Sequence, residues 1–416
     1  MRSSDAEALS GIKVLDLCRV VSGPFATMHL GDLGADVVKI EDPRNGDESR
    51  RYGPPFIEGE SAYFLSVNRN KRSCAVDLKS AAGRDVVLAL ASVADVVVDN
   101  FRPGTLDRWG LGYEALRGRN RGLIQCSISG FGRTGPDADR PGYDLILQGE
   151  AGVMDITGDP DGPPMKVGTS IADLVTGLYA SQAVLAALMK RQRTGKGGRV
   201  DVSMLDAMAS LLTFNAGMYF ATGESPRRRG NVHPTISPYE TFEASDGWIN
   251  IAVANDKFWA IFCSVIGRKD LEADARFDGA PKRAANRAAL ASLLRPILAT
   301  RTRAAWLTAF RAAGIPAGSI KKVGEVCEAP QLATRGMVQS VAHQVAGDVR
   351  FVARPIRFDD EAPAPSMPPP LLGEHTVEVL SEWLGWQAPT IEKFANAGAF
   401  GSRRPERTAT GTSTGG

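Results

Sequence analysis

The first third of the chain alternates short apolar runs with helical stretches, and that alternation leaves few architectures open. Ile12 to Leu17 reads as a buried strand, Gly23-Pro24 opens a helix over Phe25 to Leu33, and Ala35 to Ile40 reads as a second strand closed by Glu41. Ser73 to Leu78, Asp95 to Val98 and Leu123 to Ile128 have the same texture, with a helix over Ala81 to Ala91 between two of them. Strands separated by helices pair in parallel, because each crossover must return the chain to the same end of the sheet. The expected fold class is therefore α/β, with a Rossmann-like parallel sheet in the large domain.

Further along, Ile171, Leu174, Val175, Leu178, Leu185, Leu188 and Met189 fall at helical spacing, a stripe that Gln182 interrupts. Thr194 to Gly198 is a turn into a strand over Arg199 to Val202, and Met204 to Phe220 reads as one apolar helix. A different texture begins near Pro238. Tyr239 to Phe242 and Trp248 to Val253 form a hairpin pattern across Ser245-Asp246-Gly247. Helical patterns follow over Phe258 to Ile266, Arg287 to Leu298 and Ala304 to Ala313. This is the pattern of a smaller α+β domain. The boundaries read as 1–225 for the first part of the large domain, 226–328 for the inserted domain and 329–400 for the returning segment. Ala362 to Pro370 is proline-rich and expected to be extended, and 401–416 reads as a disordered tail.

Composition excludes several classes. The 416 residues carry a net charge of only +2, so no overall field favours nucleic acid or an acidic membrane. Hydrophobic residues make up 43% and charged residues 23%, ordinary for a soluble protein. Cys18, Cys74, Cys126, Cys263 and Cys327 are scattered without a CxxC pair, which argues against a disulfide framework and a zinc site. The four histidines show no metal-ligand spacing. No apolar run of about 18 residues is evident. The expectation is a cytoplasmic protein with no metal, no membrane span and no nucleic-acid partner.

Four constellations bear on chemistry. Glu41 after the second strand is where a dinucleotide site has its acid, but Cys18-Arg19-Val20-Val21-Ser22-Gly23-Pro24 lacks the glycine fingerprint, so the scaffold is expected without NAD. Ser127-Ile128-Ser129-Gly130-Phe131-Gly132 lacks the spacing of a hydrolase elbow. Asp173 follows a glycine-containing loop at the start of the periodic helix. It can be a nucleophile toward an activated acyl group, or, with Ser170 as N-cap, part of a capping box. Lys71, Arg72, Lys79, Arg102 and Arg108 fall near strand ends, where they either bind an elongated phosphorylated ligand or form a solvated face.

Ordered segments carry a resemblance. They run from Gly11-Ile12-Lys13-Val14-Leu15-Asp16-Leu17 and Leu33-Gly34-Ala35-Asp36-Val37-Val38-Lys39-Ile40-Glu41 through Asn70-Lys71-Arg72-Ser73, Asp99-Asn100-Phe101-Arg102-Pro103-Gly104 and Gly142-Tyr143-Asp144 to Gly373-Glu374-His375-Thr376. The chain resembles the class III CoA-transferases of the CaiB/BaiF type over roughly residues 10 to 398. The resemblance implies a nucleophilic Asp173 and CoA contacts at Val20, Ser22, Val76, Lys79, Asn100, Phe101, Arg108, Arg140, Tyr143 and Met204. CoA and acyl-CoA are then substrates, with no tightly bound cofactor, and two chains form an interlocked homodimer. Within the family the chain is most similar to the succinyl-CoA-dependent dicarboxylate transferases of the glutarate and hydroxymethylglutarate type. A dicarboxylate needs a cation for its distal end, and Arg19, Arg51 and His233 are candidates. Where formyl-CoA transferase has an arginine after the acid of the second strand, this chain has Asp42, and its region Ala252 to Asp256 lacks that enzyme's glycines. The alternatives are an α-methylacyl-CoA racemase, whose histidine position is Tyr143 here, and a CoA-binding subunit of a heteromeric complex. A tyrosine with an ordinary pKa near 10 is a poor base at neutral pH.

Overall fold

The computed structural model describes residues 7–359 and 366–401. Residues 362–365 of the proline-rich stretch and 402–416 of the tail lie outside the described residues.

Six strands form one parallel sheet: β1 (Lys13–Asp16), β2 (Asp36–Glu41), β3 (Lys71–Ala75), β4 (Val96–Asp99), β5 (Ile124–Ser129) and β6 (Gly198–Ser203). Their order is β3-β2-β1-β4-β5-β6. The direction of winding therefore reverses between β1 and β4, and in such sheets the crevice beyond the strand ends at the reversal is open to a ligand. Alternate strand residues feed two cores, as a sheet covered on both faces requires. Val14, Val96 and Val98 face helices α1 (Ser22–Asp32) and α2 (Ile171–Thr194), whereas Leu15, Val38 and Val97 face residues of the helices Ala81–Val93 and Thr376–Leu384.

The chain divides into two compact units. One contains the sheet and comprises residues up to Val153, Lys166–Gly217 and from Gln331 onward; the other comprises Met154–Met165 and Met218–Pro330. The second unit has its own core. An antiparallel sheet of Tyr239–Ala244, Gly247–Ala252 and Ala317–Ser319 packs Phe242, Ile249 and Ile251 against Trp259, Phe262, Leu290, Trp306 and Phe310 of its helices.

Several expectations need correction. The apolar stripe is only partly the buried face of α2: Leu188 is buried and Ile171 and Leu185 pack against the core, but the other buried residues are Ala172, Thr176, Gly177, Ala180, Ser181 and Val184, while Leu178 and Met189 are 50% and 65% exposed. Small residues win that face because α1 approaches too closely for larger ones. A Cβ on Gly177 would lie 2.7 Å from the Ser22 carbonyl oxygen and 3.0 Å from the Phe25 ring. Met204 to Phe220 is two helices, Met204–Ser210 and Thr213–Thr222, broken where Thr213 takes a φ of +31°. Strand β3 starts at Lys71 rather than Ser73, with its charged residues buried in ion pairs. By length and composition α2 could also cross a membrane, contrary to the scan of the sequence for apolar runs; here its small-residue face packs on α1 and the sheet core.

Gly177→Ala is therefore expected to wedge the two helices apart, because the nearest obstacle is backbone. Thermal denaturation checks this, with an expected loss of about 1–3 kcal/mol.

Candidate functional site

Asp173 occupies the first turn of α2. The Ser22 backbone N–H and hydroxyl both approach its carboxylate and favour the ionised form. Ser22 is itself the first residue of α1, so the N-terminal ends of two helices meet at one carboxylate. The capping reading fails here for an identifiable reason. Ser170 makes no side-chain cap bond, and its hydroxyl lies toward the Tyr63 side chain. The orphan N–H of Ala172 is taken by Asp144 Oδ1 at 2.9 Å. Asp144 is held in turn by Gln148, whose Nε2 donates to Asp144 Oδ2 at 2.8 Å while its Oε1 accepts the Val167 N–H at 2.8 Å. Asp144 thus serves the helix end, and Asp173 faces the crevice.

Burial pushes the Asp173 carboxyl up to about 6, the nearby Asp144 charge adds to the rise, and the two Ser22 bonds hold it back in part. The cavity in front of it holds about 160 Å³. The cavity lining includes Val20, Ser22, Asn100, Phe101, Arg102, Arg140, Tyr143 and Met204 together with Asp173. These residues come from the ends of β1, β4 and β5 and the start of the helix after β6, so the crevice opens at the winding reversal. A second cavity of about 210 Å³ adjoins it and is lined by Val76, Lys79, Arg51, Asp42, Asp47 and Trp109. Arg19, Glu48 and Phe101 belong to both walls. Arg19 is anchored there by Glu48 at 2.7 Å and by the Phe101 ring, whose centroid lies 4.9 Å away.

The remaining expected residues separate. Arg108 lines neither cavity and donates to Thr105 Oγ1 at 3.0 Å. Arg140 is ion-paired to Glu150 at 2.6 Å and Asp137 at 3.2 Å, so a ligand phosphate would have to displace a carboxylate. His233 lies in the second unit, where its Nδ1 accepts the N–H groups of Thr235 and Ile236. Lys71 and Arg72 are excluded as ligand cations. Lys71 is buried against Asp16 at 3.0 Å, and Arg72 is shared by Asp36, Glu378 and Glu382. Asp42 holds the neighbouring Arg44 in a bidentate pair, at 3.0 and 2.7 Å. Both Glu41 oxygens are taken, by Arg50, Ser73 and the Asp47 N–H, leaving no acid for a ribose. Region Ala252 to Asp256 ends a strand and caps the helix Asp256–Val265 through Asn255. Among the described residues no group of three or more His, Cys, Asp or Glu is arranged to hold a metal ion.

The sequence reading gave no role to Asp144, Gln148 or Tyr63. Asp144 and Gln148 stand four residues apart, a spacing that would have flagged a helical pair. Tyr63 carried no local signal.

A Rossmann-order sheet with a raised-pKa carboxylate at its reversal point defines an α/β enzyme scaffold with a cleft for an elongated ligand. Comparison with known proteins supplies the family. The family model for CoA-transferase family III matches residues 9–376. The succinyl-CoA:glutarate CoA-transferase of Mus musculus is 40% identical over 392 residues, covering 94% of this chain and 90% of that protein. The succinate–glutarate CoA-transferase of Agrobacterium fabrum is 41% identical over 397 residues, covering 93% and 97%. A crystal structure of a CAIB/BAIF family protein from Brucella suis superposes with a TM-score of 0.82 at 43% identity, covering 90% of this chain and 98% of that one. The chain belongs to CoA-transferase family III, and it is a transferase.

The raised Asp173 carboxyl has a consequence for stability. Its contribution is fully present below the ordinary value of 3.8 and is lost as pH rises through about 6. Asp173→Asn is expected to stabilise the protein by about 1–2 kcal/mol near pH 8, with the gain shrinking toward pH 4. Melting curves at the two pH values check it.

Proposed function

We propose that the enzyme moves CoA from succinyl-CoA to a dicarboxylic acid, with Asp173 as the covalent nucleophile. The observation that carries this reading is the Asp173 carboxylate, set at the reversal-point crevice with two Ser22 donors on it. An Asp173 oxygen attacks the thioester carbonyl carbon, the C–S bond breaks, and CoA thiolate leaves an aspartyl–succinyl anhydride. The thiolate then attacks the aspartyl carbonyl and expels succinate, giving an aspartyl-CoA thioester. The acceptor carboxylate attacks that same carbonyl and releases the thiolate. The thiolate finally attacks the acceptor's carbonyl, which yields the new acyl-CoA and frees Asp173. Two of the four attacks put an oxyanion on the aspartyl carbon, where the nearby Ser22 N–H and hydroxyl are the donors best placed to stabilise it.

The two adjoining cavities suit an elongated substrate, with the acyl end at Asp173 and the nucleotide end toward Val76 and Lys79. Arg19 is the cation best placed in this unit for a distal carboxylate, exchanging Glu48 for substrate; Arg51 lines only the second cavity, and His233 belongs to the second unit. Glutarate is the leading acceptor because the named relatives act on it. An interlocked homodimer fits the helix Thr213–Thr222, which buries no residue in the isolated chain. A cytoplasmic location fits five free cysteines, four of them buried.

Purified protein given succinyl-CoA and, in separate reactions, glutarate, hydroxymethylglutarate, mesaconate or oxalate is expected to form a new dicarboxyl-CoA, read by mass spectrometry. Asp173→Ala is expected to form none. Exchange by the variant, or α-carbon deuterium wash-in without exchange, contradicts the reading. Since Asp173 attacks as the anion, kcat/KM is expected to fall about tenfold per pH unit below about 6. Asp144→Asn removes the second cause of the raised value but keeps an acceptor for Ala172, so that acid limb should move lower. Arg19→Gln is expected to raise KM for dicarboxylates about tenfold, the worth of one charge-assisted bond, and to spare a monocarboxylate acceptor.

A further inference from the structure

Val20 is a β-branched residue with a φ of +69°, a region that L side chains with branched Cβ atoms rarely adopt. Something must hold it there, and the surrounding groups identify what. Asp47 Oδ1 accepts the Val20 N–H at 3.1 Å and also the N–H and hydroxyl of Ser49 at 2.9 and 2.8 Å. The other Asp47 oxygen, Oδ2, lies 2.8 Å from Lys39 Nζ, with both side chains wholly buried. The same Lys39 donates to the Cys18 carbonyl at 2.7 Å. On the other side, Asn100 clamps the Arg19 peptide through both of its backbone groups, at 2.9 and 2.7 Å. Two residues after the strained position comes Ser22, whose N–H and hydroxyl meet Asp173.

We infer that Asp47 is a positioning residue for the transfer reaction: by accepting the Val20 N–H it holds Val20 in the left-handed conformation and so aims Ser22 at Asp173. Asp47 does not line the cavity of Asp173, although with Lys39 it lines the second cavity. Its effect passes through the turn. Released from Asp47, the Val20 peptide relaxes to a negative φ, the chain direction into α1 changes, and the two Ser22 donors move off the carboxylate. Substrate binding in the neighbouring cavities changes less than the chemical step does. Burial pushes the Asp47 carboxyl up, but the Lys39 ammonium and the Ser49 and Val20 N–H groups outweigh it and hold the carboxyl ionised, well below the usual range.

The inference rests on Asp173 being the nucleophile, and a double-mutant cycle separates the two. Asp47→Ala, Val20→Gly and the double variant are compared with the parent enzyme in steady-state transfer and in single-turnover acylation of Asp173 trapped by hydroxylamine. Glycine adopts the left-handed region at little cost, so it removes the need for a holder. Asp47→Ala is expected to lower kcat and the acylation rate by about tenfold or more, with KM for succinyl-CoA changed less than about threefold. In the Val20→Gly background the same replacement is expected to cost less than about threefold. Because Asp47→Ala strands a buried ammonium, the cycle is repeated with Lys39→Met in every member. Equal losses in both backgrounds, or a loss confined to KM, would overturn the inference. Activity surviving in Asp173→Ala would overturn the underlying reading instead, whatever the cycle gives.

Discussion

The structure depends on how closely α1 can approach α2. Gly177 leaves room for the Ser22 carbonyl, and the small residues Ala172, Thr176, Ala180 and Ser181 extend the same close face. That proximity brings the first residue of α1 within hydrogen-bonding reach of Asp173. Two helix N-termini then surround one carboxylate, a place where negative charge is favoured. Burial and Asp144 push the other way and prevail, so the group is held near the point where it can be either ionised and reactive or protonated. A nucleophile that remained a low-pKa carboxylate would be a better leaving group and a weaker attacker.

Beneath this contact runs a set of buried charges. Asp16 bonds Lys71 and Thr27 and accepts the Cys18 N–H, Lys39 pairs with Asp47, and Glu41 pairs with Arg50 at 2.7 Å. Ion pairs buried in this way contribute little net stability, because each charge gave up its hydration. Their use here is geometric. Lys71 also holds the Pro24 carbonyl at 2.8 Å and Lys39 the Cys18 carbonyl, so the whole turn between β1 and α1 is fixed from below. Apolar residues of equal size would fill the space but would leave those carbonyls without donors.

Much of this was legible in the sequence, and the part that was not has a common cause. The strand–helix alternation located every strand of the parallel sheet, and the hairpin at Ser245-Asp246 matches the observed pairing of Gly247 with Ala244. Periodicity failed where tertiary packing decides the face. It assigned Leu178 and Met189 to the core of α2, yet the neighbouring α1 admits only small side chains there. It also left Lys71 and Arg72 open as ligand cations or a solvated face and missed that they are paired, because the acids that consume them, Asp16, Asp36, Glu378 and Glu382, are distant in sequence. The N-terminus of α2 could be located, but that Asp144 rather than Ser170 satisfies it is a fact of folding. Eight of the expected site residues share the cavity with Asp173, and seven of these, all but Arg19, were named by the resemblance at or beyond strand ends, which topology gathers; Arg108 lines neither cavity, and His233 belongs to the second unit.

The central claim is that Asp173 forms a covalent link to the acyl group and then to CoA. The most direct measurement is peptide mass spectrometry of the enzyme quenched during turnover with succinyl-CoA, once with hydroxylamine and once without. The account predicts a hydroxamate on Asp173 in the first case and a CoA adduct on the same residue in the second, both absent when acceptor is in excess and turnover is complete. Full transfer activity with Asp173 unmodified at every time point, or modification at another residue, would contradict it.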